Sequence, residues 1–245
     1  MDERNSLVNQ VDANVTMILL AAGCSLRMGC GQNKVLLDLA GKPVLSWSLQ
    51  LFEETEQIKQ VLVVGSLQDR QQLQELAVPF SKVKAIIRGG ASRQESVALA
   101  LSAFCADPSL KTDWIAIHDG ARPLLAQYDL IAVIQKAYQY GAAILCESVT
   151  DTIKSCLADG RIEKTLPRET LFAAQTPQVF KSDLICSAYA WAKEEKITAT
   201  DDASLLEKMG ESVYGVLASS ANLKLTVPDD LIMARALIEK RQIAE

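Results

Sequence analysis

A chain of 245 residues, 49% hydrophobic and 22% charged, has the length and composition of an ordinary globular protein, with no apolar run of the roughly 18 residues that a membrane helix needs. Its net charge of −5 at pH 7 argues against a nucleic-acid-binding surface, so an anionic substrate would have to meet a local positive field. The six cysteines contain no C-x-x-C pair, and a single histidine offers little to complete a zinc site, so they read as buried, reduced thiols.

In chain order, the first fifteen residues, MDERNSLVNQVDANV, lack a basic start and an apolar stretch. They read as a flexible extension over 1–15 rather than a signal peptide, which implies the cytoplasm, or a plastid stroma in a plastid-bearing organism. Residues 16–245 then alternate short apolar runs with helical patterns. The runs predict strands at Met17–Ala21, Gln60–Val64, Val83–Ile87, Trp114–His118, Ala142–Cys146 and Val213–Leu217. The helical patterns cover Leu45–Glu53, Gln68–Leu76, Arg93–Phe104, Leu130–Tyr140, Leu184–Glu194, Asp202–Met209 and Asp229–Lys240, the last with Pro228 at its start. This alternation predicts one α/β domain: a Rossmann-like, mostly parallel sheet with helices on both faces. Ligands should gather outside the carboxyl ends of its strands.

One segment breaks the rhythm. Thr152–Pro167 holds two short runs around Ala158-Asp159-Gly160, a hairpin signal, and so predicts a protruding β-hairpin arm at about 150–168. Two strands of this length are not stable alone in water, so the arm should pack on its own domain or on a second copy of the chain.

The chemistry concentrates where the first strand ends. Ala21-Ala22-Gly23 leaves the backbone open to a nucleotide base or phosphates, and Arg27 and Lys34 follow within reach. A polyphosphate needs such fixed positive charge, most of all in a transition state. The loop is neither a Walker P-loop nor a G-x-G-x-x-G fingerprint, which disfavours a dinucleotide oxidoreductase. Asp119, directly after a strand, is suited either to Mg²⁺ or to a turn in D-G-A-R-P. His118 reads as a satisfied structural group. Arg122, held extended by Pro123, could reach the cleft or cap a neighbour. Gly89, Gly90 and Ser96 fit a turn before a helix whose free N–H groups would suit a base or ribose. Lys224 reads as a cation on a late strand.

L-A-A-G-x-x-x-R-M with a lysine seven residues after the arginine resembles the signature of the sugar-phosphate nucleotidyltransferase family. GGASRQESV (Gly89–Val97), HDGARP (His118–Pro123), SVTDTIK (Ser148–Lys154), AAQTPQVF (Ala173–Phe180), TDDAS (Thr200–Ser204) and NLKLTVPDDL (Asn222–Leu231) follow in order. Together they are similar to the branch that joins CTP to 2-C-methyl-D-erythritol 4-phosphate in non-mevalonate isoprenoid synthesis, over about Met17 to the C-terminus. The resemblance implies a Mg²⁺-dependent homodimer. It implies that Arg27, Lys34 and Lys224 are catalytic cations, that Ala21, Ala22, Gly23, Gly89, Gly90, Ser96 and Asp119 bind nucleotide, and that Asp119 also holds the metal. It assigns Arg122, Thr152, Arg168 and Thr176 to the sugar phosphate, with the arginine of the arm often supplied by the second subunit. Three positions depart from the pattern: Ser25 for a glycine, Asn33 for a proline, and Ala91 for an acidic residue. Two alternatives stay open, a ribitol-5-phosphate or other polyol-phosphate cytidylyltransferase and a non-catalytic nucleotide-binding module.

Overall fold

The computed structural model describes residues 13–23 and 33–244. Seven strands form one sheet: β1 (Val15–Leu20), β4 (Ile58–Gly65), β5 (Val83–Arg88), β6 (Trp114–Asp119), β7 (Ala142–Ser148), β10 (Phe172–Lys181) and β11 (Tyr214–Leu217). Between β1 and β4 lies a two-stranded ribbon, β2 (Asp38–Leu39) and β3 (Lys42–Pro43), and the arm is β8 (Lys154–Cys156) with β9 (Ile162–Thr165). The helices are α1 (Val44–Glu54), α2 (Arg70–Ala77), α3 (Arg93–Ala106), α4 (Gln127–Tyr140), α5 (Ser182–Glu194), α6 (Ala203–Lys208) and α7 (Pro228–Ala244). None of them is long and apolar enough to cross a membrane.

The sheet order is β11-β7-β10-β6-β1-β4-β5. β1 runs parallel to both β4 and β6, while β10 is antiparallel to its two neighbours. The chain steps outward from β1 to β4 and β5, then returns to place β6 on the other side of β1. That reversal opens a crevice at the carboxyl ends of β1 and β6, where ligands of such sheets bind.

Both faces of the sheet are covered, which is why its central strands are nearly continuous hydrophobic runs. Met17 and Leu19 pack with Leu45, Leu49 and Phe52 of α1 and Leu130 and Val133 of α4. Ile18 points the other way, into Val97, Leu101 and Phe104 of α3 and Ile185 and Ala188 of α5. A smaller cluster of Leu39, Val44, Leu124, Leu225, Ala234 and Ile238 seats α7 against the ribbon.

Several expectations shift. The fold begins earlier than residue 16: Ala13 and Val15 are buried and Val15 opens β1, so only residues 1–12 of the expected extension lie outside the described residues. Strand β10 was not expected, because Pro177 sits inside it and a proline argues against a central strand. The sheet accommodates it by a register interruption between Ala174 and Gln178. Lys224 is on no strand; β11 ends at Leu217 and 222–226 is irregular. Of the described cysteines only Cys146 is buried, while Cys105 and Cys156 are exposed and Cys186 lies between. The arm forms as the Asp-Gly signal predicts, with Gly160 at φ +87°, and almost all of it is open to solvent.

Candidate active site

Asp119 is the last residue of β6 and stands at the crevice. Gly120 follows because a side chain is excluded there: a Cβ would lie 2.8 Å from the Leu20 carbonyl oxygen. The turn therefore packs directly on β1, with Gly120 N–H donating to Leu20 O at 2.9 Å. Two cations converge on the Asp119 carboxylate, Lys224 Nζ at 2.6 Å and Arg93 Nε at 3.3 Å. Burial alone would raise the pKa of Asp119, but Arg93 and Lys224 outweigh it and hold the carboxyl well below the usual carboxylate range.

Arg93 is itself built in from behind. Its guanidinium donates at 2.7 Å to Asp202, whose side chain is fully buried, and Tyr189 Oη donates to the other Asp202 oxygen at 2.5 Å. Burial works against the charged guanidinium, and the Asp202 carboxylate more than offsets it, raising the pKa of Arg93. Arg93, Asp202 and Tyr189 were not among the expected site residues. Two of them stand in quoted motifs, GGASRQESV and TDDAS, but 109 residues separate Arg93 from Asp202 and no local pattern joins them.

Lys224 is presented by a pinned irregular segment. Asn222 Nδ2 donates to Gln175 Oε1 at 2.8 Å and to Thr176 O at 3.0 Å, and Arg122 donates to Asn222 O at 2.6 Å. Leu225 N–H donates to Ala121 O at 2.8 Å, and Lys34 Nζ donates to Leu225 O at 2.7 Å. The Leu225 side chain is fully buried; such burial is worth about 2 kcal/mol, which helps hold a segment that has no sheet to join. Lys34 and Lys224 thus meet the same short stretch from opposite ends of the sequence. Asp230 accepts from the Val227 N–H at 2.9 Å and from the Thr226 hydroxyl at 2.8 Å, closing the segment onto α7.

Asn33 explains its own departure from the family pattern. Its amide donates to Ala21 O at 2.7 Å and to Asp69 Oδ2 at 2.8 Å. It clamps the end of β1 to the turn after β4 just before Lys34, and a proline could make neither bond.

Ala21, Ala22 and Gly23 lie directly after β1, and Gly89 sits beside them: a Cβ on Gly89 would be 2.5 Å from that of Ala22. Smallness here serves close packing of the two loops. Three N–H groups in the turn before α3 and in its first turn are occupied within the chain. Gly90 N–H donates to Ser96 Oγ at 3.1 Å, Ala91 N–H to Glu95 Oε2 at 2.7 Å, and Glu95 N–H to the N-cap Ser92 at 3.0 Å. Ala91 thereby engages its backbone at a position where the resembled pattern has an acidic side chain.

His118 is completely buried. Its Nε2 lies 3.1 Å from Arg122 O, which requires a proton on Nε2, so Nδ1 accepts from the Thr176 hydroxyl at 3.1 Å. Thr176 Oγ1 in turn accepts from Asp119 N–H at 3.0 Å. The Thr176 hydroxyl proton is therefore committed to the neutral imidazole, while the Thr176 oxygen positions Asp119 through its N–H. Burial is the main cause that lowers the His118 pKa, from 6.5 to about 4. A depressed pKa means stability complete above 6.5 and lost as pH falls toward 4. We expect a loss of about 3 kcal/mol over that window, and a flatter profile for His118→Gln, in urea titrations across the same pH range. Parallel profiles for the two proteins would refute it.

Arg122 is buried, with burial lowering its pKa and Asp119 opposing. It stands behind the Asp119 turn, holding Asn222. Thr152 and Arg168 are not brought to Asp119 within this chain: Arg168 donates to Thr150 O at 3.0 Å, across the base of the arm. Arg27 lies outside the described residues. The site thus offers one ionised carboxylate between two cations, with the Lys34 ammonium held on the Lys224 segment.

Comparison with known proteins agrees in fold and sequence. Residues 15–240 match the family model for 2-C-methyl-D-erythritol 4-phosphate cytidylyltransferase. A protein of that name from Dehalococcoides mccartyi is 41% identical over 232 residues, covering 94% of this chain and 98% of its own. Another, from Caldanaerobacter subterraneus, is 41% identical over 230 residues, covering 93% and 100%. The crystal structure of the Thermus thermophilus enzyme of that name superposes with a TM-score of 0.74 at 29% identity, over 91% of this chain and 98% of its own. A synthase structure from Anaerococcus prevotii has the same fold, with a TM-score of 0.83 at 24% identity over 93% and 97% of the two chains.

Proposed function

The chain belongs to the 2-C-methyl-D-erythritol 4-phosphate cytidylyltransferase family, and from that premise we propose that the crevice around Asp119 is its catalytic centre. The enzyme joins CTP to 2-C-methyl-D-erythritol 4-phosphate, giving the CDP-linked methylerythritol and pyrophosphate for isoprenoid synthesis. The observation that carries the site assignment is the Asp119 carboxylate, kept ionised between Lys224 and Arg93 at the end of a central strand.

An oxygen of the sugar phosphate attacks the α-phosphorus of CTP as pyrophosphate leaves. No group of this chain needs to form a covalent bond; the work is positioning and charge stabilisation. Lys34, with Arg27, meets the phosphate oxygens on which charge builds. Lys224 leaves Asp119 for the incoming triphosphate, and Arg93, anchored on Asp202, keeps the carboxylate in place. Arg122 and Thr176 hold the floor of the site, Thr176 through Asp119 N–H and Arg122 through Asn222.

Among the described residues no group of three metal-ligating side chains exists. One fixed carboxylate is the donor set for Mg²⁺ held jointly by protein and substrate, since that ion favours one or two carboxylates plus phosphate oxygens. Such an ion would supply neutralisation of phosphate charge. Asp119 would hold it.

The arm supports a homodimer. Ile162 is 63% exposed and Phe172 51%, and Arg168 makes no ion pair among the described residues, so a second copy would gain a cover for the arm and its arginine a phosphate to bind. Sedimentation that gave the mass of one chain would end this part of the reading.

The function is tested by pyrophosphate release from CTP in the presence of methylerythritol phosphate, ribitol 5-phosphate or other polyol phosphates. We expect turnover with methylerythritol phosphate, loss of it on chelation, and restoration by added Mg²⁺. Preference for another polyol phosphate would reassign the substrate, and unchanged turnover in chelator would remove the metal.

A further inference from the structure

Helices α3 and α5 pack side by side through Phe104, Ile185 and Ala188. At the end of that contact, Cys105 in the last turn of α3 faces Cys186 near the start of α5, with the two Sγ atoms 3.4 Å apart. Cys105 is exposed and Cys186 partly buried. Both thiols border two surface cavities, one running along α3 and α5 past Ser102 and Tyr189, the other past Lys111 and Trp114. A small reagent therefore reaches the pair from two sides. Nothing in the phosphoryl-transfer chemistry uses these thiols.

We propose that Cys105 and Cys186 are a modification site, an accessible dithiol that a low-molecular-weight disulfide oxidises to a bond joining α3 to α5. The Cys105 thiolate attacks one sulfur of the oxidant, forming a mixed disulfide and expelling one thiolate. Cys186, after losing its proton, attacks the Cys105 sulfur and expels the second. Two protein thiols give up two electrons and two protons, and the oxidant's disulfide becomes two thiols. The sulfurs need only close from 3.4 Å to about 2.05 Å. Cys105 goes first because it is the exposed partner. Burial, followed by Cys105 itself, pushes the Cys186 thiol up to about 12, with Lys111 opposing, so ring closure should quicken as pH rises.

The bond would tie positions 81 residues apart, so its main effect falls on the unfolded chain. Cys105 lies at the far end of α3 from Arg93, about 18 Å along the helix. The staple should therefore raise stability and leave turnover within about twofold.

The test incubates the reduced full-length protein with glutathione disulfide in mildly alkaline buffer, blocks remaining thiols, and maps peptides. The expected result is a Cys105–Cys186 linked peptide and a melting temperature higher by about 5 °C, both reversed by dithiothreitol and both absent in Cys105→Ser and Cys186→Ser. Those exposed or half-exposed substitutions should leave the reduced protein folded, which their melting curves check. A glutathione adduct that persists on Cys105, a linked peptide to any other cysteine, or oxidation with no thermal shift would each overturn the proposal. The readouts are independent of catalysis, so failure here leaves the cytidylyltransferase assignment standing.

Discussion

Asp119→Asn will lower kcat by a factor of about 10³ or more, the equivalent of about 4 kcal/mol of transition-state stabilisation, while CTP still binds. The substitution keeps the size and removes the charge. Among the described residues Asp119 is the one carboxylate that two cations reach in the crevice, and those cations hold it ionised. Without that charge the site would lose the carboxylate proposed to hold Mg²⁺, and several kcal/mol of charge neutralisation at phosphorus would go with it. Ground-state affinity follows a different course. Lys224 no longer has a carboxylate competing for its ammonium, so CTP titrated by calorimetry without the second substrate should bind within about threefold of wild type, or more tightly. The fold should survive, because Arg93 keeps Asp202 and Lys224 is already 40% exposed to water. A variant that retained a tenth of wild-type kcat would remove Asp119 from the reaction.

How much of this could be read from the sequence depends on how local each signal is. The strand–helix alternation was legible because both faces of the sheet are covered, so β1, β4 and β6 each carry an apolar run, Met17–Leu20, Val61–Val64 and Trp114–Ile117. Asp119 was legible for the same reason: it ends such a run. β10 was not, because Pro177 interrupts it and its pairing resumes only after a shifted register. Lys224 was read as a cation near phosphate, but its carrier was mistaken for a strand. Leu223, Leu225 and Val227 alternate as a strand would, while the structure holds the segment by long-range bonds from Arg122, Lys34 and Ala121. The Arg93–Asp202–Tyr189 chain was invisible for a related cause. Its members lie on α3, ahead of α6 and on α5, and only the packing of those helices brings them together. Asn33 shows the reverse case. A departure from the family pattern implied an altered loop, and the side chain turns out to tie Ala21, at the end of β1, to Asp69.

Lys34→Ala should cost at least about 10² in kcat, a typical loss when one transition-state contact is removed. Lys34 follows the Asn33 clamp and points its ammonium at the Lys224 segment, donating to Leu225 O. That bond raises a competing explanation, that Lys34 merely holds the segment. Two observations weigh against it. The Leu225 side chain is fully buried, and its N–H is independently tied to Ala121. The neighbouring Asn222 is fixed by Gln175 and Thr176. Loss of the bond to Leu225 O should cost only about 1 kcal/mol of stability, so a melting curve near wild type beside a hundredfold slower enzyme would separate charge from scaffolding. Added alkylammonium supplies a second check. If the missing group is a positive charge at phosphate, a small primary amine should restore part of the rate in proportion to its protonated concentration. A scaffold defect would not respond. Turnover of Lys34→Ala close to wild type would mean that the phosphoryl charge is met elsewhere and that the mechanism placed on this loop is wrong.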